Sequence, residues 1–112
     1  MTREEVIETL VPVFQQYPIK RVAFFGSYAR GDQSDKSDVD LVVDFTESAA
    51  LFENFYDLYD AVEQRLGFSV VLLRYGAVVR DMKPIIKHKV LGELRWFYEA
   101  YQKADFRPVL VK

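Results

Sequence analysis

Two short features of this chain have residue types suited to joint chemistry. Gly26-Ser27 follows an apolar run that ends at Phe25, and Asp38-Val39-Asp40 opens a second such run, with ten residues between Ser27 and Asp38. Residues two apart on a strand point to one face, with Cα atoms ~6.5–7 Å apart. Two carboxylates converging there repel one another unless a cation lies between them. A divalent ion relieves that repulsion, and magnesium commonly takes one or two carboxylates plus phosphate oxygens. A glycine at the end of a strand lets backbone approach a bulky anion, and the N–H groups after it can point at phosphate. The Ser27 hydroxyl adds a donor. Taken singly, the acidic pair also describes a solvated loop end, and Gly-Ser also describes an ordinary turn.

Other chemistries are excluded by composition. The 112 residues contain no cysteine and a single histidine, His88, so thiolate nucleophiles, disulfides and multi-histidine zinc sites are ruled out. A metal here must be held by oxygen, which points to magnesium, manganese or calcium. Gly26 and Gly31 have the spacing of P-loop glycines, but Asp32-Gln33 stand where Lys-Ser/Thr is required. A calcium loop starting at Asp32 would place Ser37 at the glycine position and Val43 at the terminal glutamate, and fails as well.

The elements that must position these residues follow from patterning. Thr2 and Glu5 predict a capping box opening a helix through Val6, Leu10, Val13, Phe14 and Tyr17, with Pro12 expected to kink it or loosen its second half. Ile19 to Phe25 predicts a buried strand and Gly26 to Ser37 a loop with room for one helical turn. Val39 to Phe45 predicts a second strand. Leu51, Phe55, Leu58, Val62 and Leu66 recur at three- and four-residue steps, predicting an amphipathic helix stopped by Gly67, with Phe52 and Tyr59 widening its stripe. Phe68 to Leu73 predicts a third strand. Asp81 to Val90 predicts a helix with Pro84 in its first turn and Gly92 as its stop. In Glu93 to Glu99, Leu94, Trp96 and Tyr98 alternate as in a fourth strand, while Trp96, Phe97 and Ala100 would also suit a helix; strand is the preferred reading. The sum is an α/β (α+β) fold: one domain over residues 1–112, a small mixed sheet with helices packed on it, residues 100–112 forming a C-terminal extension.

With these elements set out, the run Gly26-Ser27-Tyr28-Ala29-Arg30-Gly31-Asp32, followed by Ser37-Asp38-Val39-Asp40-Leu41-Val42-Val43, resembles the G-S-x10-D-x-D signature of the minimal nucleotidyltransferase family, within the DNA polymerase beta-like superfamily. The resemblance is sharp between Phe24 and Val43 and extends roughly from Val6 to Glu99. It implies that Gly26 and Ser27 hold the triphosphate of an NTP such as ATP and that Arg30 supports that loop. Asp38 and Asp40 would coordinate two catalytic magnesium ions, which would stabilise the attacking and leaving oxygens during displacement at the α-phosphate. It further implies transfer of a nucleoside monophosphate, with AMP expected, to a hydroxyl of a partner protein. Small members of the family pair as antitoxins with HEPN-domain ribonuclease toxins.

One position departs from the pattern. The superfamily usually offers a third carboxylate from the strand after the long helix, and here Val71 stands at that place. Loss of a general base lowers rate by ~10²–10⁴-fold. A catalytically degenerate module that binds nucleotide or toxin without chemistry is therefore the alternative. Asp44 shares the face of Asp40 on a regular strand but lies ~13 Å along it. Asp32, Asp35, Glu63 and Asp81 are not placed near the pair by anything in the sequence.

The remaining features set partners and location. A net charge of −2 argues against general nucleic-acid coating. No apolar run reaches the ~20 residues of a membrane span, and the first residues lack a signal-peptide core, so the cytoplasm is expected. Lys83, Lys87 and Lys89 form a basic patch around His88, read first as a solvated helix face. The Phe52/Phe55/Tyr56/Tyr59 set and Trp96, Phe97, Tyr98 and Tyr101 read mainly as core. The latter group also suggests an apolar patch for a partner or a homo-oligomer.

Overall fold

A computed structural model describes residues 1–46 and 51–100. In chain order the elements are α1 (Arg3–Phe14), β1 (Ile19–Phe25), α2 (Ser27–Arg30), β2 (Val39–Phe45), α3 (Leu51–Leu66), β3 (Val70–Arg74), α4 (Tyr75–Asp81), α5 (Pro84–Glu93) and β4 (Arg95–Glu99). The strands form one sheet in the order β3-β2-β1-β4. β1 runs antiparallel to β2 and to β4, whereas β2 and β3 are parallel, their crossover carrying α3. This is the expected α/β fold with a mixed sheet.

Local chemistry sets most boundaries. The Glu5 amide donates to Thr2 Oγ1 at 3.0 Å and the Thr2 amide to Glu5 Oε1 at 2.8 Å, closing the expected capping box. Such a cap contributes ~1 kcal/mol. Pro12 leaves α1 intact: its ring lies on the exposed side, the helix continues to Phe14, and the Gln15 amide donates to the Val11 carbonyl at 3.1 Å. Gly67 stops α3 with φ 83 and its amide on the Glu63 carbonyl at 2.8 Å.

The sheet is covered on both faces. α1 and α3 bury Val6, Leu10, Phe14, Leu58 and Val62 against Val22, Phe24, Leu41 and Val43. On the opposite face Val42 meets Val78 of α4 and Val90 of α5, with Phe25 and Leu73 packed around them. Fully burying such side chains contributes ~1.5–3 kcal/mol each. Asp40 and Asp44 interrupt this second face near the two ends of β2, where the helices leave it partly open. Phe97 and Tyr98 of β4 pack on Phe14 at ring-centroid distances of 6.0 and 5.3 Å, as a core reading expects. Trp96 instead lies over the Arg21 guanidinium at 3.8 Å. Phe55 and Tyr59 pack against the core and Tyr56 is exposed; Tyr101 and the Phe52 side chain lie outside the described residues.

The segment after β3 departs from expectation. Tyr75–Asp81 forms α4, which the sequence does not announce: Gly76 and two valines lower its helix propensity, and Val78 is its one buried residue. α5 begins at Pro84 rather than Asp81, because the residue before a proline avoids the α region, and Lys83 adopts φ −64, ψ 147. Gly92 does not end α5, which runs on to Glu93. β3 starts at Val70, leaving Phe68 exposed. Beyond Ala100 the expected C-terminal extension lies outside the described residues. No helix among them is long and apolar enough to cross a membrane.

Candidate active site

Antiparallel pairing sets the end of β1 beside the start of β2. Phe25 is the register partner of Asp40, so Gly26 turns away from the sheet against the Asp40 side chain. A Cβ built on Gly26 would fall on Asp40 Oδ2, and Gly26 has φ 68, a backbone region that side chains rarely tolerate. Only glycine fits both demands. Ser27 then opens α2, a single helical turn closed by Gly31 at φ 85.

The start of α1 clamps this turn. Arg3 donates from Nε to the Tyr28 carbonyl at 2.7 Å and from Nη2 to the Ala29 carbonyl at 2.8 Å, and the Tyr28 phenol donates to the Met1 carbonyl at 2.7 Å. The loop backbone is thus held by the start of α1.

Asp40 is half-buried and Asp38 exposed. Burial pushes the Asp40 carboxyl above its ordinary value, and the nearby Asp38 charge pushes it further; Arg30 opposes this, and Glu93 adds to it. Asp38 also lines a shallow groove of ≈ 240 Å³ shared with Ser37, Phe68 and Ser69. Among the described residues no group of three or more histidines or acids is arranged to hold a metal. Magnesium commonly takes only one or two protein carboxylates when substrate phosphates complete its shell, a number that Asp38 and Asp40 could supply.

Glu93 is the residue that sequence reasoning missed. Its Oε1 accepts the Gly26 amide proton at 3.3 Å, and its Oε2 pairs with Arg30 Nη1 at 3.1 Å. Arg30 also pairs with Asp32 at 3.2 Å. A carboxylate therefore sits on the glycine amide and on the arginine that the family resemblance assigns to phosphate. The continuation of α5 through Gly92 brings Glu93 here, and no motif signals it.

Val71 occupies the position expected for the third carboxylate. It is the parallel register partner of Asp40 and is 40% exposed. Asp44 sits at the other end of β2, paired with Arg21 at 3.1 Å. Asp81 ends α4, Glu63 lies on α3 across the sheet, and Asp35 lines the groove beside Asp38. His88 is exposed, as a solvated helix face requires.

Comparison with known proteins identifies the family and the fold. The family model described as "Polymerase beta, Nucleotidyltransferase" matches residues 8–102. The protein adenylyltransferase MntA of Thermococcus cleftensis is 37% identical over 77 residues, covering 69% of this chain and 77% of that one. A solved structure provisionally described as a minimal nucleotidyltransferase superposes with a TM-score of 0.64 at 31% identity, covering 85% of this chain and 95% of the other. At 13% identity, the fold is shared with a chain in a complex of tri-AMPylated Shewanella oneidensis HEPN toxin and MNT antitoxin, with a TM-score of 0.59 over 87% of this chain and 72% of that chain. With the signature, the sheet and the matched span in agreement, the chain belongs to the polymerase beta nucleotidyltransferase family.

Proposed function

We propose that this protein binds magnesium-ATP across the junction of Gly26-Ser27 with Asp38 and Asp40, and transfers AMP to a hydroxyl of a partner protein. The observation that carries this reading is the seating of the Gly26 backbone directly against the Asp40 carboxylate, which supports a shared site for phosphate and metal at this junction. The family fixes the class of reaction, and the name of the Thermococcus cleftensis relative supports AMP as the group and protein as the acceptor.

In this reading the partner's hydroxyl oxygen attacks the α-phosphorus in line, the bond to the bridging oxygen breaks, and pyrophosphate leaves. Magnesium, when bound with nucleotide, neutralises charge on the phosphate oxygens. The Ser27 hydroxyl and the backbone of the turn hold the β- and γ-phosphates. Arg30 turns from Glu93 to phosphate, a charge-assisted exchange of one anion for another. Asp38 and Asp40 would hold the metal beside the attacking oxygen, whose proton passes to solvent because Val71 offers no base.

The partner in this reading is a HEPN-type ribonuclease toxin silenced by AMP addition, with the reaction in the cytoplasm. Val71 is also the observation that favours a second reading, a module that binds nucleotide or toxin and has lost the chemistry. Incubating the protein with magnesium, α-labelled ATP and a HEPN-type ribonuclease separates the two. Label on the ribonuclease supports transfer; ATP binding with no label on any acceptor supports the second reading.

A further inference from the structure

We infer that the corner where α4 meets α5 is the docking surface for the acceptor protein, and that it takes an apolar segment edged with acidic side chains. The inference rests on the reading that the acceptor is a protein. Ile85 is 86% exposed, Ile86 52% and Val79 36%. Single exposed apolar residues are ordinary, but three branched aliphatics at one corner form a patch that water solvates poorly. Lys87 closes the corner, its ammonium donating to the Val79 carbonyl at 2.9 Å. α5 is apolar on two sides: Val90 faces the sheet, while Ile85 and Ile86 face solvent, where an amphipathic surface helix carries polar residues.

Charge selects the occupant. Residues 79–89 hold Lys83, Lys87 and Lys89 against the single acid Asp81, in a chain whose net charge is −2, while Arg80 folds back over Gly76 into the groove beside Asp44. Lys89 lies one helical turn from both isoleucines. A two-fold pairing of this corner with a second copy would press like charges together, whereas an acidic rim on another protein complements it. Position agrees: α5 leads from Ile85 to Glu93, whose carboxylate contacts Gly26 and Arg30. At ~1.5 Å per residue, the eight steps span about 12 Å, so a segment seated on the corner can present a hydroxyl to the Asp40 cleft.

The test uses the full chain and a fluorescent amphipathic helical peptide with a leucine face and glutamate edges, beside the same peptide with lysine edges. The glutamate-edged peptide is expected to bind at least tenfold tighter than the lysine-edged one and to weaken with added salt. Ile85→Ser/Ile86→Ser and, separately, Lys83→Glu/Lys89→Glu should each lower its affinity at least tenfold, with ATP binding and thermal midpoint held. Equal binding of the two peptides, or no loss in either variant, would overturn the proposal. So would a wild-type dimer in sedimentation that Ile85→Ser/Ile86→Ser dissolves, or peptide binding that appears only after deletion of residues 101–112; these would assign the corner to a second copy or to the chain's own tail. ATP binding read in the same samples keeps the two claims apart, since its absence in wild type would sink the nucleotide reading and leave the peptide result standing.

Discussion

Val71 and Asp40 are register partners on parallel strands, their side chains on the same face of the sheet. A carboxylate at 71 would stand where the family carries its third acid. Val71→Asp is therefore expected to raise AMP transfer by up to ~10²-fold, the lower end of what a general base contributes. Without magnesium the extra charge beside Asp40 should lower the thermal midpoint, and magnesium should restore it. Single-turnover rates and melting curves with and without the ion check both halves; unchanged rates would show that position 71 does not face the reacting hydroxyl.

In the proposed reading, Glu93 would compete with the triphosphate for the Gly26 amide and Arg30. Glu93→Gln keeps the shape, removes a negative charge beside Asp40 and frees Arg30 from an ion pair. ATP should bind several-fold tighter to the variant in equilibrium titrations. Weaker binding would mean that Glu93 serves chiefly to position Arg30.

The glycines separate backbone need from mere spacing. Gly26→Ala meets both the positive φ and the Asp40 carboxylate, so a loss of ~1–3 kcal/mol is expected, together with loss of ATP binding. Gly92 lies within α5 with open space around it, and Gly92→Ala should stabilise by ~0.5–1 kcal/mol. Chemical denaturation of the two variants reads the contrast, and equal effects would contradict the close approach at Gly26.

Asp40 makes stability depend on pH in a stated direction. Its folded-state pKa is raised above the ordinary 3.8, chiefly by burial, so the folded protein favours the protonated acid. The stability this contributes is present below the ordinary value and is lost as pH rises through the folded one. Asp40→Asn removes that loss. Its metal-free form should melt above wild type at neutral pH, the gap closing below pH 3.8. A variant that melts lower at neutral pH would show that the charge is already well accommodated.

Legibility in the sequence followed the range of the physics. The capping box of Thr2 and Glu5, the stop at Gly67 and the apolar strands β1 and β2 depend on neighbours in the chain, and the structure shows them where patterning puts them. The approach of Gly26 to Asp40 was also readable, because a strand end followed by glycine and a strand start with spaced acids become adjacent once β1 and β2 pair. α4 was not, since its sole buried residue, Val78, leaves no periodic stripe. Glu93 was hidden for a different reason: its position depends on a helix passing through a glycine that reads as a stop, then on tertiary contact with a turn 67 residues away. Arg21 likewise showed no sign of its place between Asp44 and Trp96, which only the order β2-β1-β4 creates.

Calorimetric titration of ATP into wild type and into Asp38→Asn/Asp40→Asn, each with and without magnesium, bears on the shared cleft most directly. Binding to wild type should strengthen at least tenfold with magnesium, and the double variant should lose that gain while keeping its fold by circular dichroism. Equal magnesium-dependent binding in both proteins would contradict the account.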